Sequence, residues 1–266
     1  MIKLPQYRQN RNGVPILSEQ NLEDIGETLT GDFCPEVLTE PQEVDIDAFA
    51  EIYMGLNQDI QYLSHNGVYL GMMVFNDTDM LPVFDPVAHE ARYISESAGT
   101  VVIEKSLLDD DSQLHRYRFT MAHEAAGHAV LHKAYHSRQH NPNQVNLFND
   151  STPWVQCRKD MAIAPSRSTR SDTDWMEWQA NTLGSIVLMP RKSVKLLMTD
   201  YENKLNDMQG LRRSFIIGDM IDQVSSVFNV SRQAALIRLK KLGYLESSDS
   251  DPDSSLRGLR RFLHIL

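Results

Sequence analysis

One run constrains this chain more than any other: Arg118-Phe119-Thr120-Met121-Ala122-His123-Glu124-Ala125-Ala126-Gly127-His128-Ala129-Val130-Leu131-His132. It reads as a single buried helix carrying imidazoles and a carboxylate. A zinc hydrolase needs those groups: neutral imidazoles to hold the metal, and a carboxylate to take a proton from water. The zincin signature is H-E-x-x-H, with histidines four apart. Here His123 and His128 are five apart, so the pattern is H-E-x-x-x-H.

The extra residue has a geometric consequence. An α-helix turns about 100° per residue, so histidines four apart lie about 40° from each other and share a metal easily. Five apart they diverge by about 140° and cannot. Two arrangements restore a cluster. One π-bulge would absorb the extra residue and return His123 and His128 to one face, with the strain at Gly127. Alternatively, a regular helix would group Glu124, His128 and His132, spaced by four. The bulge is preferred because it leaves Glu124 free as a base. The bland reading is a core helix whose histidines are merely hydrogen-bonded.

A metal site of this kind needs a third protein ligand and an open position for water. Glu177, in Glu177-Trp178-Gln179-Ala180-Asn181, is the best candidate. It lies on a helix expected over Trp175 to Met189, whose other face carries Leu183, Ile186 and Val187. A buried carboxylate there needs a partner, and zinc would supply one. Asn181, one turn later, is placed to accept a hydrogen bond from the non-metallated nitrogen of a ligand histidine.

The chain of 266 residues can bury a substantial core. Its 41% hydrophobic and 23% charged residues fit a globular protein that does not cross a membrane. The N-terminus lacks a signal-peptide core. Cys34 and Cys157 are the only cysteines and read as free thiols of a reducing compartment, so a cytoplasmic location is expected. A formal net charge of −10 argues against nucleic acid as the default partner.

The expected class is α+β: a mostly helical, zincin-like domain with a small antiparallel sheet before the metal helix, then a helix-turn-helix-like C-terminal subdomain. Residues 1–17 read as an irregular lead-in and 18–190 as the zincin-like domain. Helices are expected from Ser18 to about Thr30 and from Ile46 to Leu56. Strands are expected at Ile60–Leu63 and Val68–Phe75, joined by a turn at His65-Asn66-Gly67, then at Ala91–Ile94 and Thr100–Ile103. The metal helix should run from Leu114 to about Ala134. Residues 135–172 read as a long loop, either a lid or an insertion. Residues 191–246 form the helical subdomain, capped internally by Ser231, and 247–266 a flexible tail.

These residues resemble the ImmA/IrrE family of metallopeptidases, which carry R-F-T-x-A-H-E-x-G-H-x-x-L-H. Glu177 to Pro190, with Ala180, Asn181, Leu188, Met189 and Pro190, is similar to the family's E-x-x-A-N…L-M-P element. The resemblance spans about residues 18 to 244. It implies zinc held by His123, His128 and Glu177, with Glu124 as catalyst, and an endopeptidase that cleaves helix-turn-helix repressors of mobile-element or stress-response circuits. The inserted alanine departs from that pattern. The resulting H-E-x-x-G-H is similar to the zinc motif of dipeptidyl peptidase III. Tyr135, His136 and His140 are candidates to steady an oxyanion.

Two rivals stand. One is a DNA-binding protein using Arg212, Arg213, Arg232, Arg238, Lys240 and Lys241 on the C-terminal helices. The other is a non-catalytic metal-binding regulator.

Overall fold

The computed structural model describes residues 5–139, 152–158, 171–206 and 211–252. The architecture is mixed α+β and divides into two compact units. One comprises the described residues up to Leu29 together with Asp45–Val187; the other comprises Thr30–Val44 and the described residues from Leu188 onward.

The first unit opens with α1 (Glu19–Phe33), whose residues Leu22, Ile25 and Leu29 are buried at the helical spacing read from the sequence. Ser18 caps it. The Asn21 amide donates to Ser18 Oγ (3.1 Å), and the Ser18 amide donates back to Asn21 Oδ1 (3.0 Å). The second expected helix is α2 (Ile46–Ala48) continuing into a π turn at Phe49–Tyr53. Asp45 caps it, and the helix is finished at Gly55, whose φ of 66° turns the chain out.

Strands β1 (Asn57–Gln61), β2 (Tyr69–Val74), β3 (Thr78–Asp85), β4 (Glu90–Glu96) and β5 (Thr100–Glu104) follow, and β6 (Trp154–Arg158) comes after the metal helix. The main sheet has the order β1-β5-β2-β6; β3 and β4 pair separately. Three expectations are corrected here. The sheet is mixed, because β1 runs parallel to β5 while the other pairs are antiparallel. The turn at His65-Asn66-Gly67 does not join paired strands, because β5 lies between β1 and β2. And residues 154–158, placed in the long loop, form an edge strand of the sheet. β3 was not expected at all. Its Pro82 and acidic residues disguise it, and a two-stranded ribbon tolerates proline because each strand has a free edge.

The central strands are covered on both sides, which explains their unbroken apolar runs Leu70-Gly71-Met72-Met73-Val74 and Val101-Val102-Ile103. Met72, Val74 and Val102 face the β3–β4 ribbon, packing with Leu63, Leu81 and Val83 and with Ile94 and Trp154 beside them. The alternate positions face the metal helix, because a Cβ on Gly71 would lie 2.7 Å from Thr120 Cγ2.

The metal helix is α3 (Leu114–Ala122), a π turn (His123–His128) and α4 (Ala129–Leu131), followed by α5 (Lys133–Gln139). The long helix α6 (Asp172–Leu188) completes the unit. It begins three residues before the expected Trp175, and its cap is Ser171. The Asp174 amide donates to Ser171 Oγ (3.1 Å) and the Ser171 amide donates to Asp174 Oδ2 (3.0 Å), a reciprocal capping box.

The second unit contains α7 (Arg191–Asn206), α8 (Leu211–Val227) and α9 (Arg232–Lys241). Its core includes Ile217, Met220, Ile221, Val224, Phe228 and Leu239. Ser231 caps α9 by accepting from the Ala234 amide at 3.1 Å. Residues 247–252, read as the start of a flexible tail, are instead tied down: Asp249 pairs with Arg213 at 3.0 Å, and Asp251 takes both ends of the Arg232 guanidinium at 2.9 and 2.7 Å. Residues 253–266 lie outside the described residues.

Candidate metal centre

The π turn decides the site. The Ala129 amide donates to the carbonyl of Glu124, five residues back, so one extra residue is taken up without ending the helix. His123 and His128 therefore return to one face, with ring centroids 4.7 Å apart and Nε2 atoms 3.0 Å apart. Glu177 arrives from α6. Its Oε2 is 3.4 Å from His123 Nε2 and its Oε1 3.3 Å from His128 Nε2. The donor atoms of His123, Glu124 and His128 also lie within 4.8 Å of one another. All four side chains are buried.

Glycine brings the two helices this close. A Cβ on Gly127 would sit 2.6 Å from the Ala180 Cα, and one on Gly184 would sit 3.0 Å from the His123 nitrogen. Gly127, inside the π turn, thus serves a backbone-to-backbone approach to α6.

Hydrogen bonds behind the histidines fix their tautomers. A carbonyl can only accept, so Gln179 Nε2 donates to the Pro15 carbonyl (2.6 Å), which turns Gln179 Oε1 towards His132 Nε2 at 2.9 Å. His132 Nε2 must then carry the proton, and its Nδ1 accepts. His128 Nδ1, 2.9 Å away, donates to it. The lone pair of His128 is left on Nε2. On the other side, Asn181 Oδ1 lies 3.0 Å from His123 Nδ1 and accepts its proton, leaving the His123 lone pair on Nε2 as well. Two nitrogen lone pairs and a carboxylate then converge on one point. Only a cation, a proton or a metal ion, resolves that arrangement.

The electrostatics agree. Burial by itself would lower His123, but Cys157, Glu177 and Glu124 outweigh it and raise the ring's affinity for a proton. Burial lowers His128, with Glu177 opposing. Burial by itself would raise Glu177, yet His128 and His123 hold it below the usual carboxylate range. Glu124 is different: burial pushes it up to about 8, with His123 opposing and Glu177 adding. Both Glu124 oxygens and Glu177 Oε2 are buried without a hydrogen-bond partner. Buried carboxylate oxygens without a hydrogen-bond partner are costly unless another group satisfies them, and a divalent metal fits this nitrogen and oxygen donor set.

His132 is not brought to this point. Both its nitrogens are engaged, one by His128 and one by Gln179, so it supports His128 rather than joining a Glu124–His128–His132 cluster. Among the candidate oxyanion donors, His140 lies outside the described residues. His136 stacks on Phe75 (centroids 4.1 Å apart), and its buried Nε2 has no partner. Burial, then the charge of His128, lowers His136 to about 4. Sequence reasoning missed two residues. Gln179 gives no signal beyond its place in the E-x-x-A-N stretch. Cys157 lies on the unexpected strand β6, buried, and burial pushes its thiol up with His123 opposing.

The basic residues of the C-terminal helices are largely spent on the protein itself. Arg238 is buried and donates to the Met189 carbonyl at 3.0 Å, Arg232 pairs with Asp251 and Asp222, and Lys240 donates to the Ser247 carbonyl at 2.8 Å. Among the described residues no helix is long and apolar enough to cross a membrane. The sequence matches no protein-family model and no curated protein.

Proposed function

We propose that this chain is a zinc-dependent endopeptidase in which His123, His128 and Glu177 hold the metal and Glu124 is the general base. One observation carries the reading: two imidazoles, each committed through Nδ1, present bare Nε2 atoms 3.0 Å apart beside Glu177, with both Glu124 oxygens unpartnered in the same pocket. Two histidines, a carboxylate and a separate glutamate are the set that zinc hydrolysis of a peptide bond requires. Zinc bound there supplies Lewis acidity and lowers the pKa of water.

The protein's own residues do the rest. Glu124 accepts a proton from the attacking water and returns it to the leaving amine. Its burial, which pushes its affinity for a proton towards neutrality, suits it to both roles. Asn181 holds His123, and the Pro15–Gln179–His132 chain holds His128, each in the tautomer that offers Nε2. His136, neutral and with a free Nε2, donates to the developing oxyanion.

The resemblance to ImmA/IrrE peptidases supports a helix-turn-helix repressor as substrate. The test is E124Q, assayed for zinc content and for cleavage of the repressor encoded nearest to this chain's gene. Retained zinc with cleavage abolished supports the proposal. Retained zinc with cleavage at the wild-type rate contradicts it. Zinc bound with no cleavage by the wild type would instead favour the non-catalytic regulator. The consumption of Arg213, Arg232 and Arg238 in internal contacts speaks against the DNA-binding alternative.

A further inference from the structure

We propose that the N-terminal turn Asn10–Pro15 is a clasp that fixes which nitrogen His128 offers to the ion, with Asn10, Asn12 and Asp172 as positioning residues; this rests on the metal-centre reading above. The segment read from the sequence as an irregular lead-in folds back on itself in its described part. The Asn10 amide donates to the Val14 carbonyl (2.9 Å), the Ile16 amide donates to the Arg8 carbonyl (2.8 Å), and Gln9 bridges to Pro15. Gly13 allows the reversal with a φ of 93°. Asn10 Oδ1 braces the inside by accepting from the Asn12 and Val14 amides (2.9 and 3.0 Å). Val14 and Leu17 are buried and anchor the segment.

The turn grips α6 at two places along one helix face. Asp172, Trp175 and Gln179, spaced three and four apart, share that face. At its start, the side-chain amides of Asn10 and Asn12 donate to the two oxygens of Asp172, the first at 2.6 Å. Further along, the Pro15 carbonyl accepts from Trp175 Nε1 (3.3 Å) and from Gln179 Nε2 (2.6 Å), which uses both its lone pairs. The pair of amides on Asp172 therefore holds the turn in the position from which Pro15 reaches Gln179.

That carbonyl decides the direction of the hydrogen-bond chain behind the metal position. While it holds Gln179 Nε2, Gln179 presents its oxygen to His132, and His128 keeps its proton on Nδ1. Its withdrawal would free the Gln179 amide to turn over and donate to His132 Nε2. His132 would then donate from Nδ1 to His128 Nδ1, and the His128 proton would sit on Nε2, over the lone pair that a metal needs. The protons balance: one leaves His132 Nε2 and one arrives at His128 Nε2, with neither ring changing charge. The clasp thus selects between two complete hydrogen-bond chains, of which one has a metal site.

The experiment compares the full chain with D172A, alone and combined with Q179A, by competitive zinc titration and by the nitrogen NMR shifts of the zinc-free imidazoles. We expect D172A to weaken zinc binding by about tenfold, the low end of what outer contacts contribute, and to add no further loss in the Q179A background. In the zinc-free protein we expect His128 to carry its proton on Nδ1 in the wild type and increasingly on Nε2 in D172A. Wild-type affinity in folded D172A would overturn the proposal. So would the same loss with and without Gln179, because a contact that only stabilises the fold acts alike in both backgrounds. N12A, which removes one exposed amide and leaves α6 untouched, makes the same comparisons should D172A not fold. No zinc on folded wild-type protein, with the His128 proton still moving in D172A, would overturn the metal centre and leave the clasp standing. No zinc and no movement would overturn both.

Discussion

Gly127 and Ala180 meet backbone to backbone, so that any side chain at 127 would come within 2.6 Å of the Ala180 Cα. The contact presses the π turn against α6 and sets the distance at which Glu177 reaches the two histidines. G127A cannot be absorbed by a rotamer change, since the obstacle is main chain. It should destabilise the protein by about 1–3 kcal/mol, the usual cost of overpacking. It should also weaken zinc binding, because the helices must part. Chemical denaturation and a competitive zinc titration measure the two effects; wild-type values for both would mean that the approach is not needed.

The π turn itself makes a sharper claim. It accommodates one residue more than a regular turn between His123 and His128, while the helix before and after stays in register. Deleting Ala125 should therefore convert it to an ordinary α turn, with the histidines four apart and still able to share a metal. We expect a folded protein that binds zinc within about tenfold of the wild-type affinity, in the range that outer contacts alone can shift. Loss of zinc stoichiometry in a folded deletion variant would show that the π geometry is obligatory.

Gln179 orients His128 through His132 without approaching the metal position. Q179A should lower zinc affinity by about 10–100-fold, as loss of outer-shell partners does, while leaving the secondary structure intact by circular dichroism. Unchanged affinity would dismiss the tautomer chain.

His136 should make the protein acid-sensitive. Its folded pKa lies at about 4, below the ordinary 6.5, because burial disfavours the charged ring. Between those values the unfolded chain takes up a proton that the native state refuses. Its contribution is therefore fully present above about 6.5 and is lost as pH falls towards 4. H136F, which keeps an aromatic ring over Phe75, should flatten the fall of stability across that window by up to one proton's slope, about 1.4 kcal/mol per pH unit. The check is urea denaturation of both proteins at several pH values; parallel curves would contradict the assignment.

Much of the site was legible because it is local. His123, Glu124 and His128 lie within six residues, and the spacing alone required an irregular turn if the histidines were to meet. Glu177 and Asn181 were legible as polar residues on an apolar helix. What escaped depends on pairing between distant segments. The parallel β1–β5 pair cannot be read from either strand, and β3 hides behind Pro82 and its acidic residues. β6 sits in a stretch whose Ser, Pro and Gln content reads as loop, so the ladder that sets Cys157 opposite Gly71 was hidden. Asp249 and Asp251 looked like a flexible acidic tail because their partners, Arg213 and Arg232, lie on other elements.

The most direct measurement is anomalous diffraction at the zinc edge from crystals of the zinc-loaded protein. The account requires one peak within about 2.0–2.2 Å of His123 Nε2, His128 Nε2 and a Glu177 oxygen. A folded protein with no peak there, or with zinc held by His132 in place of His123, would contradict it.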